Sequence, residues 1–321
     1  PYHDQACPSA DHRGGVMTHY MTFYEHPRGD HQSKLIKPRG EGYTSDVPEL
    51  KGIKVWRVHT RPITSFDEMA RELEDVAKNR PSVYPVRGRL SEAGQRQLSR
   101  GLLNRAYEPS AKNPAPHLRD SPAHYVMLDI DDLPCPLEID LSTEEGEQAA
   151  LKWLLGLLPS YFQGASTWYQ WSGSFKYSDP HCLKVHLWFW VERPISSESL
   201  REWMKLLYKR GELRSVLKKG KLTPLTDMAA FRATQPLYTV NPRFDRSIPE
   251  AERHKVINRC GVIRGEHDSV RLPLEAYAEA QQIKSASRRK SSRPKIHPSN
   301  PTPWLGDEEG FSSEAEENLS E

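Results

Sequence analysis

Apolar and polar positions alternate most cleanly in two stretches. In residues 123–130, Val126, Leu128 and Ile130 fall on one side of an extended chain. Tyr125, Met127, Asp129 and, just beyond, Asp131 fall on the other. In residues 183–191, Leu183, Val185, Leu187, Phe189 and Val191 share one face, while Lys184, His186, Trp188 and Trp190 share the opposite one. Both stretches are predicted strands. Residues 165–173 predict a third, joined to residues 183–191 through the polar loop 174–181. Helical spacing appears elsewhere. Phe66, Met69, Ala70, Leu73, Val76 and Ala77 follow the capping-box pair Ser65 and Glu68, and Pro81 ends the run. Ser142 and Glu145 predict the start of a second helix, which carries Leu151, Leu154, Leu157 and Leu158 up to Pro159. Ser197 opens a third, with Leu200, Trp203, Met204 and Leu207 inward and Gly211 at its end. Weaker patterns predict strands at 53–59 and 82–87 and a helix within 92–106.

The pattern fades at both ends. Residues 1–45 are rich in His, Gly, Pro and charge and read as a partly irregular arm. Their His3, Cys7, His12, His19, His26 and His31 match no standard finger spacing, so zinc is not expected. Residues 276–321 run from a basic block (Lys284, Arg288, Arg289, Lys290, Arg293, Lys295) into an acidic one. Such blocks predict a disordered tail or linker. That leaves residues 46–275 as one α/β (α+β) domain.

Composition narrows the classes. A chain of 321 residues can bury a substantial core. No apolar run approaches the roughly 18–20 residues of a membrane span, and no signal-peptide pattern is present. The four cysteines form no CxxC pair, which predicts reduced thiols and a cytoplasmic setting, with no membrane partner. A net charge of +2 does not by itself argue nucleic-acid binding. The local run Lys205, Lys209, Arg210, Arg214, Lys218, Lys219 and Lys221, broken only by Glu212, suits either a phosphate backbone or a solvated helix face and loop. There is no GxxxxGK[ST], HExxH or nucleophile elbow.

The candidate chemistry starts at Asp129 and Asp131. Two carboxylates on one strand face repel at neutral pH unless a cation joins them, and a hard divalent ion is the natural partner. The same pair also fits a strand running into a solvated acidic loop. Lys184 and His186 suit an anionic ligand, or a core histidine beside an outward-reaching lysine. Asp227 reads as a helix N-cap when taken alone. Ser172 and Ser174 fit hydroxyl contacts or turn chemistry. Arg232 is a candidate phosphate contact. Arg87 and Arg89, around Gly88, fit a cleft wall or a solvated turn.

Taken in order, these elements resemble the archaeo-eukaryotic primase superfamily, over roughly residues 50–275. An acidic DxD at a strand end maps onto Asp129 and Asp131. An SxH-type strand maps onto Lys184-Val185-His186, with Lys184 where the family often has Ser. A lone acid maps onto Asp227. The strings from Lys184 to Trp190 and from Phe231 to Pro242 look like primase-polymerases of phages and plasmids. The resemblance implies an RRM-like catalytic unit joined to a second α/β unit, with the active site between them. It implies template-dependent primer synthesis on single-stranded DNA, with extension as a DNA polymerase. NTPs or dNTPs would be the substrates and a replicative helicase a candidate partner. Asp129, Asp131 and Asp227 would hold two Mg2+ or Mn2+ ions. His186, Lys184, Ser172, Ser174 and Arg232 would contact the nucleotide. Two other functions fit parts of the pattern: a metal-dependent nuclease or relaxase-like initiator, suggested by His181 and His186, and a non-catalytic single-strand-binding replication protein.

Overall fold

The computed structural model describes residues 19–46, 55–98, 116–218 and 220–273, all within the first of two units, Pro1–Ile283. Order begins earlier than the sequence pattern predicts. β1 (His19–Glu25) buries Met21, Thr22, Phe23 and Tyr24 in succession, so it has no alternation to read. β2 (Leu35–Arg39) and β3 (Gly42–Asp46) form a hairpin whose turn uses Gly40 at φ +58°. The histidine-rich arm is therefore structured from residue 19 onward. His3, Cys7 and His12 lie outside the described residues. β4 (Arg57–Ile63) overlaps the strand predicted at 53–59 but starts and ends later.

α1 (Phe66–Asn79) forms where its capping pair and apolar stripe place it. Ser65 Oγ accepts the Glu68 N–H at 3.2 Å. The Glu68 carboxylate turns to Thr64 instead of completing the box, accepting its N–H and its hydroxyl at 2.7 Å each. β5 (Val83–Val86), β6 (Arg89–Leu90), α2 (Glu92–Leu98) and β7 (Leu118–Arg119) follow. β8 (Ala123–Pro134) extends past its predicted end.

α3 (Glu144–Leu157) is capped by Thr143 and not by Ser142. Ser142 is unavailable because its N–H and hydroxyl both go to Asp140 Oδ1. β9 (Thr167–Trp171) and β10 (Cys182–Ile195) make the expected hairpin. α4 (Ser197–Lys209) is capped by Ser196, and Asp120 accepts the N–H groups of Ser197 and Glu198 at 2.8 and 2.9 Å. The remaining elements are β11 (Ser215–Lys218), β12 (Lys221–Pro224), β13 (Arg243–Phe244), α5 (Glu250–Arg253) and β14 (Cys260–Ile263).

The result is a mixed α/β fold of the α+β kind, built on several sheets. The central sheet is antiparallel, in the order β14-β9-β10-β8, and buries both faces. Val126, Leu128, Ile130, Val185, Leu187 and Phe189 pack with α3 and α4. Tyr125, Met127, Trp168, Trp188 and Trp190 pack with α1 and with Met21 and Phe23 of β1. Burial of each large side chain contributes about 1.5–3 kcal/mol, so register is strongly fixed. β1 itself lies between β4 and β5 in a second sheet.

Arg87 overturns both readings offered for it. It is fully buried and donates to the Tyr125 and Ile195 carbonyls and to Ser197 Oγ, tying β5 to β8 and to the start of α4. Burial lowers its pKa. Among the described residues, no helix is long and apolar enough to cross a membrane.

Candidate active site

On the α1 side of the central sheet, chemistry changes from one register row to the next. Met127, Trp188 and Trp168 stand side by side across three strands. The next row is Asp129, His186 and Gln170. The apolar row ends the aromatic core, and the polar row begins a pocket whose walls include Asp129, Asp131, Gln170, His186 and Asp227. Because strand side chains alternate, the residues that close the core at Met127 also aim Asp129 into the pocket.

β8 carries a bulge at this end. Ile130 pairs with Val185 and Leu133 with Leu183, so three steps on β8 oppose two on β10. Asp132 takes up the extra residue at φ +55°, a conformation that costs a non-glycine residue free energy. Lys184 forms an ion pair with the Asp132 carboxylate. Lys184 is engaged there and is not among the residues that line the pocket.

β8 is also an edge strand, and its outward backbone groups need partners. Asp129 N–H donates to Thr226 Oγ1 at 3.1 Å, and Asp227 N–H donates to Asp129 O at 2.8 Å. This pairing brings Asp227 beside Asp129 across about a hundred residues of chain. Asp227 is also the N-cap expected of it. Its Oδ1 accepts the Ala229 N–H at 2.8 Å at the start of a 3-10 turn, Met228–Phe231. The N-cap reading of this residue holds, and the same residue also lines the pocket. The segment after that turn closes the pocket with Gln235, Leu237 and Tyr238, and is fixed by a bond from Leu237 N–H to Pro85 O of 3.0 Å.

The cation in the pocket wall is Lys34, just before β2. Its ammonium donates to Ser172 Oγ at 3.0 Å and Ser174 Oγ at 3.2 Å. Gly173 lies between the two serines, and a Cβ there would come within a tight 3.3 Å of the Cβ of Lys34. Sequence reasoning missed Lys34 because its partners lie about 140 residues away. The only local signal is the apolar pair Leu35 and Ile36, submerged in a polar stretch. Gln170 was also missed, since a polar residue inside a predicted strand has no distinguishing mark.

Electrostatically the pocket is unsatisfied. Asp129 Oδ1 and His186 Nδ1 are buried without a hydrogen-bond partner. His186 Nε2 stands 3.5 Å from Asp129 Oδ1, too far for a good hydrogen bond. Burial, then Asp131, then Asp227 push the Asp129 carboxyl up to about 7. Burial pushes His186 down to about 4, against the pull of Asp131. The close pair is thus a neutral imidazole beside a carboxyl that resists ionisation, and not an ion pair. Three carboxylates offering hard oxygen donors, one with an orphaned buried oxygen, fit a divalent cation. Among the described residues no group of three or more His, Cys, Asp or Glu side chains is gathered closely enough to hold a metal ion, and the acids share a pocket wall instead.

Of the residues singled out from sequence, Asp129, Asp131, Asp227, His186 and Ser172 line one pocket. Ser174 joins through Lys34. Lys184 does not line it, and Arg232 is exposed outside the pocket wall, at the C-cap of the 3-10 turn. His181 is exposed in the loop before β10. No family model, no curated protein and no solved structure matches this chain.

Proposed function

We propose that this pocket binds a nucleoside triphosphate together with Mg2+ or Mn2+ and joins nucleotides on a single-stranded DNA template, as a primase-polymerase does. The observation that carries the reading is the presence of Asp129, Asp131 and Asp227 in the wall of one pocket, with His186 and a lysine cradled by two serines. Asp129, Asp131 and Asp227 would hold the metal. When bound, the ions neutralise charge on the phosphates and acidify the attacking 3′-hydroxyl. Lys34 offers a positive charge to the phosphates, with Ser172 and Ser174 fixing its ammonium. His186, held neutral by burial, offers a ring nitrogen to the same ligand without adding a competing charge. Lys184 acts one step back, holding Asp132 and with it the bulge that follows Asp131.

Two features favour polymerisation over a nuclease or relaxase-like initiator. The pocket contains one histidine among its lining residues, and its cation is set beside the acids as a triphosphate requires. The test is incorporation of labelled NTPs and dNTPs on single-stranded DNA with Mg2+ or Mn2+. Template-dependent product that disappears in Asp129→Asn plus Asp131→Asn is the expected result. Absence of product under all four conditions, or nicking of DNA without nucleotides, would overturn the reading.

A further inference from the structure

Gln235, Pro236, Leu237, Tyr238 and Val240 form one stretch of the pocket wall, and the segment is neither strand nor helix. Without a ladder of its own, such a segment keeps its place only through bonds made to it from elsewhere. Three bonds tie it to α1 and the region of β5. Gly88 N–H donates to Ala233 O at 2.8 Å, Leu237 N–H to Pro85 O at 3.0 Å and Asn241 N–H to Ala77 O at 3.3 Å. A fourth comes from the central sheet, where Gln170 Nε2 of β9 donates to Thr239 O. Gln170 stands in the register row of His186 and Asp129 and is buried. Two residues earlier on the same face is Trp168, part of the aromatic core. An apolar side chain would fill the place of Gln170 at lower cost, since a buried amide has to be bonded. Its bond goes to the backbone of the pocket wall. Thr239 is itself fully buried, so its carbonyl cannot turn to water instead. Pro236, Leu237, Tyr238 and Val240 bring apolar and aromatic surface, with no carboxylate, imidazole or thiol among them. They complement the uncharged part of a nucleotide, its sugar and base, whereas the acids and Lys34 complement the metal and the phosphates.

We propose that Gln170 is a positioning residue for the nucleotide. Through Thr239 its amide holds the 235–240 wall at a fixed distance from the row of His186 and Asp129, and so sets the width left for sugar and base. Gln170 acts through the wall and not on the reacting atoms. Small displacements matter in such a site, because a misplacement of about 1 Å costs about a hundredfold in rate. The inference rests on the nucleotidyl-transfer reading for the identity of the ligand, so its test reads the wall, the metal and the nucleotide separately.

The experiment uses the full chain with Gln170→Met, which keeps the size and removes the donor, and Gln170→Asn, which keeps the amide and shortens its reach. If the first does not melt cooperatively, the second carries the test. Hydrogen–deuterium exchange in the peptide covering 235–241 should rise about tenfold or more, with α1 and β8 unchanged. Affinity for Mn2+ alone, by calorimetry, should stay within about twofold, since the acids are untouched. Affinity for a non-hydrolysable nucleoside triphosphate with Mn2+ should fall about tenfold, and the KM should rise by the same factor while kcat stays within about threefold. Unchanged exchange in the wall overturns the inference. So does a wall that loosens while nucleotide affinity holds, or a variant that loses Mn2+ and nucleotide together with its thermal midpoint, as a purely structural brace would. Loss of the fold in both variants counts against it in the same way. If the parent binds Mn2+ and nucleotide and the variants bind them equally well, the pocket reading stands and Gln170 has no such role. If the parent binds no nucleotide, the pocket reading fails and this inference fails with it.

Discussion

Two carboxylates, the buried Glu147 and the half-buried Asp129, lie on opposite sides of the central sheet and have opposite surroundings. Glu147, in the first turn of α3, accepts from Lys176 Nζ at 2.6 Å, from Ile257 N–H at 3.1 Å and from Asn258 N–H at 3.2 Å. Lys176 in turn donates to the Lys255 carbonyl at 2.8 Å. Charge and hydrogen bonds close on themselves there, and the network pins the β9–β10 loop and the 255–258 segment to α3. Asp129 has an oxygen without a partner, two like charges nearby and a histidine that burial keeps neutral. A satisfied network supports the fold. An unsatisfied one survives only because the surrounding sheet dictates its geometry, and such places are where ligands bind. The contrast sets the two acids apart, although both sit in the same domain.

Substitutions should therefore separate stability from activity. The largest effect is expected from Asp129→Asn plus Asp131→Asn, which should cut nucleotide incorporation at least about a thousand-fold. The thermal midpoint should stay level or rise by about 2–4 °C, because the change removes like-charge repulsion. A large drop in the midpoint would mean that this acid pair is a structural network too. Glu147→Ala should do the opposite. It strands Lys176 in the interior and should cost about 3–5 kcal/mol in urea unfolding. Any residual folded fraction should keep its metal affinity.

Smaller effects sharpen the pocket side. Lys34→Ala should raise the KM for nucleotide about ten- to hundredfold, as loss of a charged contact does, with little change in stability. The pH dependence follows from the shifted groups. The folded carboxyl of Asp129 is raised from 3.8 to about 7, so its contribution to stability is lost as pH rises through that window. His186 is lowered from 6.5 to about 4, so its contribution is lost as pH falls through its own window. The two oppose each other between about 4 and 6.5, which makes stability a blunt readout. Metal binding is sharper, because the ion must displace the Asp129 proton. Mn2+ affinity should rise up to about tenfold per pH unit toward 7 and level off above it. A flat profile between pH 6 and 7 would argue against Asp129 as a ligand. The smallest effect belongs to Arg232→Ala, which should change incorporation by less than about twofold, since Arg232 lies off the pocket wall.

What the sequence reveals follows the physics of each element. β8 and β10 are legible because alternation separates aliphatic from aromatic and acidic positions, and this survives burial of both faces. α1 is legible through its apolar stripe and Ser65. β1 is not, because four successive buried residues erase the alternation. The cap of α3 shifts by one residue because Asp140 competes for Ser142. Within the site, Asp129 and His186 can be found because they lie on regular strand stretches, and Asp131 because it follows Asp129 at the alternation spacing, although it falls where the bulge begins. Lys34 cannot, because its place depends on a contact between distant loops. Lys184 sits off the pocket wall because it pairs with Asp132 at the bulge, and a bulge leaves no mark in alternation counted along one strand.

The most direct measurement is a crystal structure of the protein soaked with Mn2+ and a non-hydrolysable nucleoside triphosphate, read by manganese anomalous scattering. Manganese peaks between Asp129, Asp131 and Asp227, with the triphosphate reaching toward Lys34, are the expected result. A pocket without manganese at saturating concentration, or ions held elsewhere with Asp227 still serving only as a cap, would contradict it.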